Sequence, residues 1–110
     1  MTKTYSPRRA TARWLDGDCP QGVLCILDAG PSVNDRWTVV YADPVRAGTF
    51  AQTVLGYRGM CDTPFAPHGV GMYGELDAYQ VAALRRRQRS AKWSALPEDC
   101  KRAVRNDLES

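Results

Sequence analysis

The stretch Gly56 to Leu76, GYRGMCDTPFAPHGVGMYGEL, constrains this chain more than any other. It holds five of the nine glycines, together with Pro64, Pro67, Cys61 and the single histidine, His68. A β-like run leads into it and a helix-like run leads out. Glycine and proline at this density interrupt both the two-residue and the 3.6-residue periods, so the stretch reads as a long loop with a defined path. Loops of this length inside a small domain are usually either functional or disordered. Tyr57, Phe65 and Tyr73 argue against disorder, because they give the loop something to bury. The expectation is a loop packed between a sheet and a helix.

The flanking segments set what that loop joins. Thr11 to Leu15 alternates weakly and reads as a first strand, ending at Asp16-Gly17-Asp18. Val23 to Leu27 (VLCIL) is a short apolar run between glycine-containing turns, which suits a buried strand better than a helix. In Arg36 to Ala42, Trp37, Val39 and Tyr41 point one way and Thr38, Val40 and Ala42 the other. Both faces are largely apolar, so this strand is expected to be central, ending at Asp43-Pro44. Phe50 to Tyr57 resumes the β pattern after a turn of roughly five to seven residues. Beyond the loop, a helix is expected from Glu75 or Leu76 to about Lys92, with Leu76, Tyr79 and Ala83 on its apolar side. A second helix opens at Leu96-Pro97-Glu98-Asp99, where proline costs no hydrogen bond and the acids meet the positive end of the helix dipole. Cys100, Ala103, Val104 and Leu108 form its stripe. These pieces predict an α+β fold: a small antiparallel meander of about four strands, one or two C-terminal helices packed on it, and the Gly/Pro loop. Trp37, Val39, Leu55, Leu76 and Val104 are the expected core. Residues 1–10 read as a mobile basic arm and residues 11–110 as one domain.

Composition removes several function classes. No apolar run is long enough to span a membrane, and MTKTYSPRRATAR lacks the apolar segment of a secretory signal. A cytoplasmic setting follows as an expectation, with Cys19, Cys25, Cys61 and Cys100 reduced and unbridged. The net charge of +3 is mild but uneven. Residues 1–13 carry Lys3, Arg8, Arg9 and Arg13 with no acid, and RRRQRSAK at residues 85–92 carries five more cations with none.

Three segments occur in an order found elsewhere: Asp35-Arg36-Trp37-Thr38-Val39-Val40; Gly59-Met60-Cys61 with Pro64, Pro67, Gly69, Gly71, Gly74 and Glu75; and Leu96-Pro97-Glu98-Asp99-Cys100. Together they resemble a family of small proteins carried by bacteriophages and other bacterial mobile elements. The similarity spans about half the chain. The family has no assigned chemistry, so the resemblance lends no catalytic residue; it implies a mobile-element origin and a role inside the bacterial host cell. The family's loop has a histidine near position 73 and tends to have serine at position 61, where this chain has Tyr73 and Cys61.

Four chemistries compete for these residues. Zinc would need Cys61 and His68, with Cys19 approaching, but the cysteine intervals are long and no C-x-x-C is present. A thiol hydrolase would pair Cys61 with His68 as base and Asp62 or Glu75 as orienter, a parts list that any chain of this size supplies. No cofactor is expected, and a non-catalytic role is favoured. Nucleic-acid binding would use Arg85, Arg86, Arg89 and Lys92, with Arg8 and Arg9 on the arm; Arg85, Arg89 and Lys92 share one helical face at i, i+4, i+7. Docking to a host or phage protein would use Tyr57, Arg58, Phe65, His68 and Tyr73, residue types that include those enriched at binding hot spots. The same aromatics also suit a core beneath the loop, and a charge run also suits a solvated face. Protein docking is the leading expectation and nucleic acid the alternative.

Overall fold

The computed structural model describes residues 19–47 and 52–109. Strands β1 (Val23–Asp28), β2 (Trp37–Ala47), β3 (Gln52–Met60) and β4 (Gly71–Leu76) precede helix α1 (Ala78–Arg87). A two-residue strand β5 (Arg89–Ser90), a 3-10 turn at Trp93–Ala95 and helix α2 (Glu98–Glu109) complete the order. The strands form one antiparallel sheet in the order β4-β3-β2-β1-β5. The fold is α+β, a four-stranded meander extended at one edge by β5. The expected arm at residues 1–10 and the strand at Thr11 to Leu15 lie outside the described residues.

Both faces of the sheet are covered, which is why β2 is apolar on both sides. Trp37, Val39 and Tyr41 pack with Cys100, Ala103 and Val104 of α2 and with Trp93 and Leu96. Val40, on the opposite face, packs with Cys25, Leu27 and Val81 of α1. Alternation along β1 puts Ile26 in the α2 layer and Cys25 and Leu27 in the α1 layer, and a register shift between Val23 and Cys25 turns Val23 to the Ile26 side. Of the expected core, Trp37, Val39 and Val104 are buried, while Leu55 and Leu76 are half-buried against the α1 layer.

Three boundaries differ from the sequence reading, each for a physical reason. The stretch from Gly56 to Leu76 is a hairpin whose loop is only residues 61–70. That loop touches the sheet where the Trp37 indole N–H donates to Asp62, and α2 where the Cys100 thiol meets the Cys61 carbonyl and Arg102 covers Phe65. Gly56 and Gly74 do not break the strands because tyrosines occupy the space of the missing side chains. The Tyr57 ring lies 2.6 Å from where a Cβ on Gly74 would sit, and Tyr73 covers Gly56 in the same way from the other strand. Next, β2 does not stop at Asp43-Pro44 but runs to Ala47, with a register irregularity between Val40 and Pro44. Among the described residues β1 no longer flanks β2 there, so a residue without an N–H is tolerated. The connection between β2 and β3 is accordingly shorter than expected and lies outside the described residues.

The third difference is the first helix. It starts after Asp77, not at Glu75 or Leu76, because Asp77 and Gln80 form a reciprocal cap. The Asp77 carboxylate accepts from the Gln80 N–H (2.8 Å), and the Gln80 side chain accepts from the Asp77 N–H (2.9 Å). Helix phase follows: Val81 is the buried residue, and Tyr79, expected on the apolar side, is 78% exposed. The helix ends at Arg87, so Arg89 is on β5 and Lys92 precedes the 3-10 turn. Replacing Asp77 by alanine is expected to destabilise the domain by about 1 kcal/mol, read as a lower denaturation midpoint in urea at an unchanged slope.

Candidate functional site

The acid-free run at residues 85–92 folds into one corner of the molecule. Arg85, Arg86 and Arg87 form the last turn of α1, where cations are favoured by the negative end of the helix dipole. Gln88 ends the helix by donating its backbone N–H to the Leu84 carbonyl (2.9 Å). The chain then turns so that Arg89 pairs with Asp28 and Ser90 with Leu27, which places the cations beside the β1 edge of the sheet. Arg86, Arg87, Arg89 and Lys92 are exposed and make no salt bridge among the described residues.

Arg36, by contrast, is committed. Its Nε and Nη2 donate to the two oxygens of Asp28 at 2.7 and 3.0 Å, and its guanidinium lies 4.5 Å from the Trp37 ring centroid. Asp28 also accepts the Gly30 N–H at 2.8 Å, where a φ of +103° makes glycine the suitable residue. The Arg36 guanidinium holds the Asp28 carboxyl below the usual carboxylate range, against an opposing push from burial. This locked pair floors a cleft of about 640 Å³ whose walls include Gly30, Arg87, Gln88 and Arg89. With Arg36 neutralised by Asp28, Arg87 and Arg89 supply the net charge of the cleft.

A second cleft of about 350 Å³ adjoins it, between α1 and the sheet, and shares Ala29, Arg87 and Gln88 with the first. Its lining is more apolar: Val33, Tyr57, Leu76 and Leu84, with Thr38 and Asp35 as polar members. The Gln88 side-chain oxygen is buried without a hydrogen-bond partner at this junction. An orphaned buried acceptor is costly and calls for a donor from elsewhere. Neither Gln88 nor the groove behind Tyr57 stood out in the sequence. A polar residue interrupting an arginine run was the available signal.

The residues expected to form a protein-docking loop are dispersed. Tyr57 faces the α1 layer. Arg58 faces the other side, where its Nε and Nη2 bind both oxygens of Asp107 at 2.8 and 2.5 Å. Tyr73 lies over Arg58, with 6.0 Å from guanidinium to ring centroid, and stacks on Tyr41 at 6.5 Å. Phe65 is 48% exposed, with the Arg102 guanidinium 4.3 Å from its centroid. His68 is exposed in the second half of the loop. Arg8 and Arg9 lie outside the described residues. Arg85 and Arg86 are on α1 as expected, but Arg85, Arg89 and Lys92 do not share a helical face.

The cysteines separate by environment, and none is in a disulfide. The Cys61 sulfur accepts the Val70 N–H at 3.2 Å, which pulls its thiol below the ordinary value. Burial pushes Cys25 up to about 11 and Cys100 up to about 12. His68 makes no hydrogen bond to Cys61 among the described residues, so the geometry assembles no thiol-imidazole pair. No group of three or more metal-ligating side chains occurs among the described residues. Alkylation at neutral pH is expected to modify Cys61 well before Cys25 and Cys100, which should react only on unfolding. Peptide mass analysis over a time course reads this order directly.

No protein-family model, no curated protein and no solved structure matches this chain. No helix among the described residues is long and apolar enough to cross a membrane.

Proposed function

We propose that this domain binds nucleic acid through the basic corner formed by the end of α1 and β5, in the bacterial, mobile-element setting that the sequence resemblance implies. One observation carries the reading: Arg86, Arg87, Arg89 and Lys92 are exposed at one corner without salt-bridge partners among the described residues, and Arg87 and Arg89 line a cleft whose third arginine, Arg36, is already neutralised by Asp28. Unpaired guanidinium groups on a fixed backbone suit phosphate oxygens, which they bind in bidentate fashion. The role proposed for the corner is binding. Fluorescence anisotropy of a labelled oligonucleotide between about 50 and 200 mM salt tests it. A steep linear fall of log affinity with log salt is the expected result; no binding at the lowest salt would defeat the proposal.

A second reading, docking to a host or phage protein, is favoured by β4. This strand has no further strand beside it among the described residues and exposes Met72 and Tyr73, at 47% and 52%. Such an edge accepts an added strand. Affinity capture from the host with and without nuclease distinguishes the two. A partner that survives nuclease supports docking, and one that is lost supports nucleic acid.

A further inference from the structure

We infer that the nucleic acid taken by the basic corner is single-stranded, with one unpaired base entering the cleft between α1 and the sheet while its flanking phosphates lie on Arg87 and Arg89. The inference rests on the nucleic-acid reading above and adds the substrate class to it.

The two clefts form one site with two chemistries. Their shared wall, Ala29, Arg87 and Gln88, puts a cationic opening directly beside a more apolar groove. A ligand that fills both must carry an anion next to a flat, largely apolar body, which is the composition of a nucleotide. The inner groove, about 350 Å³, falls within the ordinary range of small-ligand sites. Tyr57 supplies an aromatic surface there, and aromatic groups hold unpaired bases with little regard to sequence.

Polar groups in the groove match the edge of a base. Asp35 is an acceptor lining the groove, and Gln88 lines it too; the Gln88 oxygen has no donor but is closed off from solvent, so a base reaches it only once the side chain turns outward. Exocyclic amines and ring N–H groups of bases are donors. A fully paired duplex keeps those groups engaged and its bases stacked, so it has nothing to place in the groove. It would meet only the arginines.

The test compares one labelled strand of about ten nucleotides in three forms: single-stranded, annealed to its complement, and with abasic sites replacing the bases. Anisotropy at fixed low salt is expected to show the single strand binding about tenfold or more tightly than either other form. Ala83→Phe fills the groove from α1 without removing an arginine, and should reduce single-strand affinity to the abasic level while duplex binding, which needs only the arginines, is retained. Gln88→Leu, which removes the orphaned acceptor, serves as the second variant, with circular dichroism confirming that each is folded. Equal, salt-steep binding of all three forms, or two folded variants with wild-type affinity, overturns the single-strand inference and leaves the nucleic-acid reading standing. Absence of binding to every form overturns both.

Discussion

Replacing Arg86, Arg87 and Arg89 together by glutamine is expected to weaken binding of a single-stranded oligonucleotide by about 100-fold or more at about 50 mM salt. The size follows from counterion release. Each phosphate contact on a single strand contributes a slope of about −0.7 in log affinity against log salt, which amounts to just under a decade at that concentration. Loss of three contacts should also flatten the slope by about two. The fold should survive, because all three side chains are exposed and the helix loses only the few tenths of a kcal/mol per residue that cations contribute near its C-terminus. A variant with unchanged affinity and slope would place the contact surface elsewhere.

Removing Asp107 by substitution with alanine is expected to cost about 2–4 kcal/mol of stability. This carboxylate accepts from the Tyr41 hydroxyl and takes both nitrogens of the Arg58 fork, joining α2 to β2 and β3. The Arg58 and Asp107 side chains are only 22% and 16% exposed, so solvent replaces the lost partner poorly. Chemical denaturation should show the loss as a lower midpoint. The same cluster predicts alkaline behaviour. Burial, and then the bond to Asp107, push the Tyr41 hydroxyl well above its ordinary value. The folded state therefore holds the neutral phenol where an unfolded chain would ionise it, near pH 10. That contribution is fully present below about pH 10 and declines as pH rises above it. Tyr41→Phe should flatten the decline.

The layers of the fold were legible in β2 because its alternation is a direct consequence of burial on both sides. Trp37, Val39 and Tyr41 on one face and Val40 on the other sort in the structure as they sort in the sequence. The α2 stripe was legible for the same reason, with Cys100, Ala103 and Val104 all buried. The hairpin β3-β4 was not, because what makes Gly56 and Gly74 acceptable is a tyrosine on the neighbouring strand. A cross-strand contact of that kind has no local signature. The start of α1 was hidden likewise. Leu76 continues an apolar pattern into the helix, while the reciprocal Asp77–Gln80 cap decides where the helix begins. As for the site, the arginine run was visible but its geometry was not. A helix ending at Arg87 and a strand beginning at Arg89 break up the expected face of Arg85, Arg89 and Lys92, and bring Arg89 with Arg87 to the lining of a cleft.

The most direct measurement is a titration of the ¹⁵N-labelled protein with a short single-stranded oligonucleotide, followed through its backbone amide signals. The account predicts shifts concentrated at residues 29–36 and 80–92, with the amide of Gln88 and its neighbours among the largest. Shifts confined to β4 and residues 61–70, or a spectrum unchanged at saturating oligonucleotide, would contradict it.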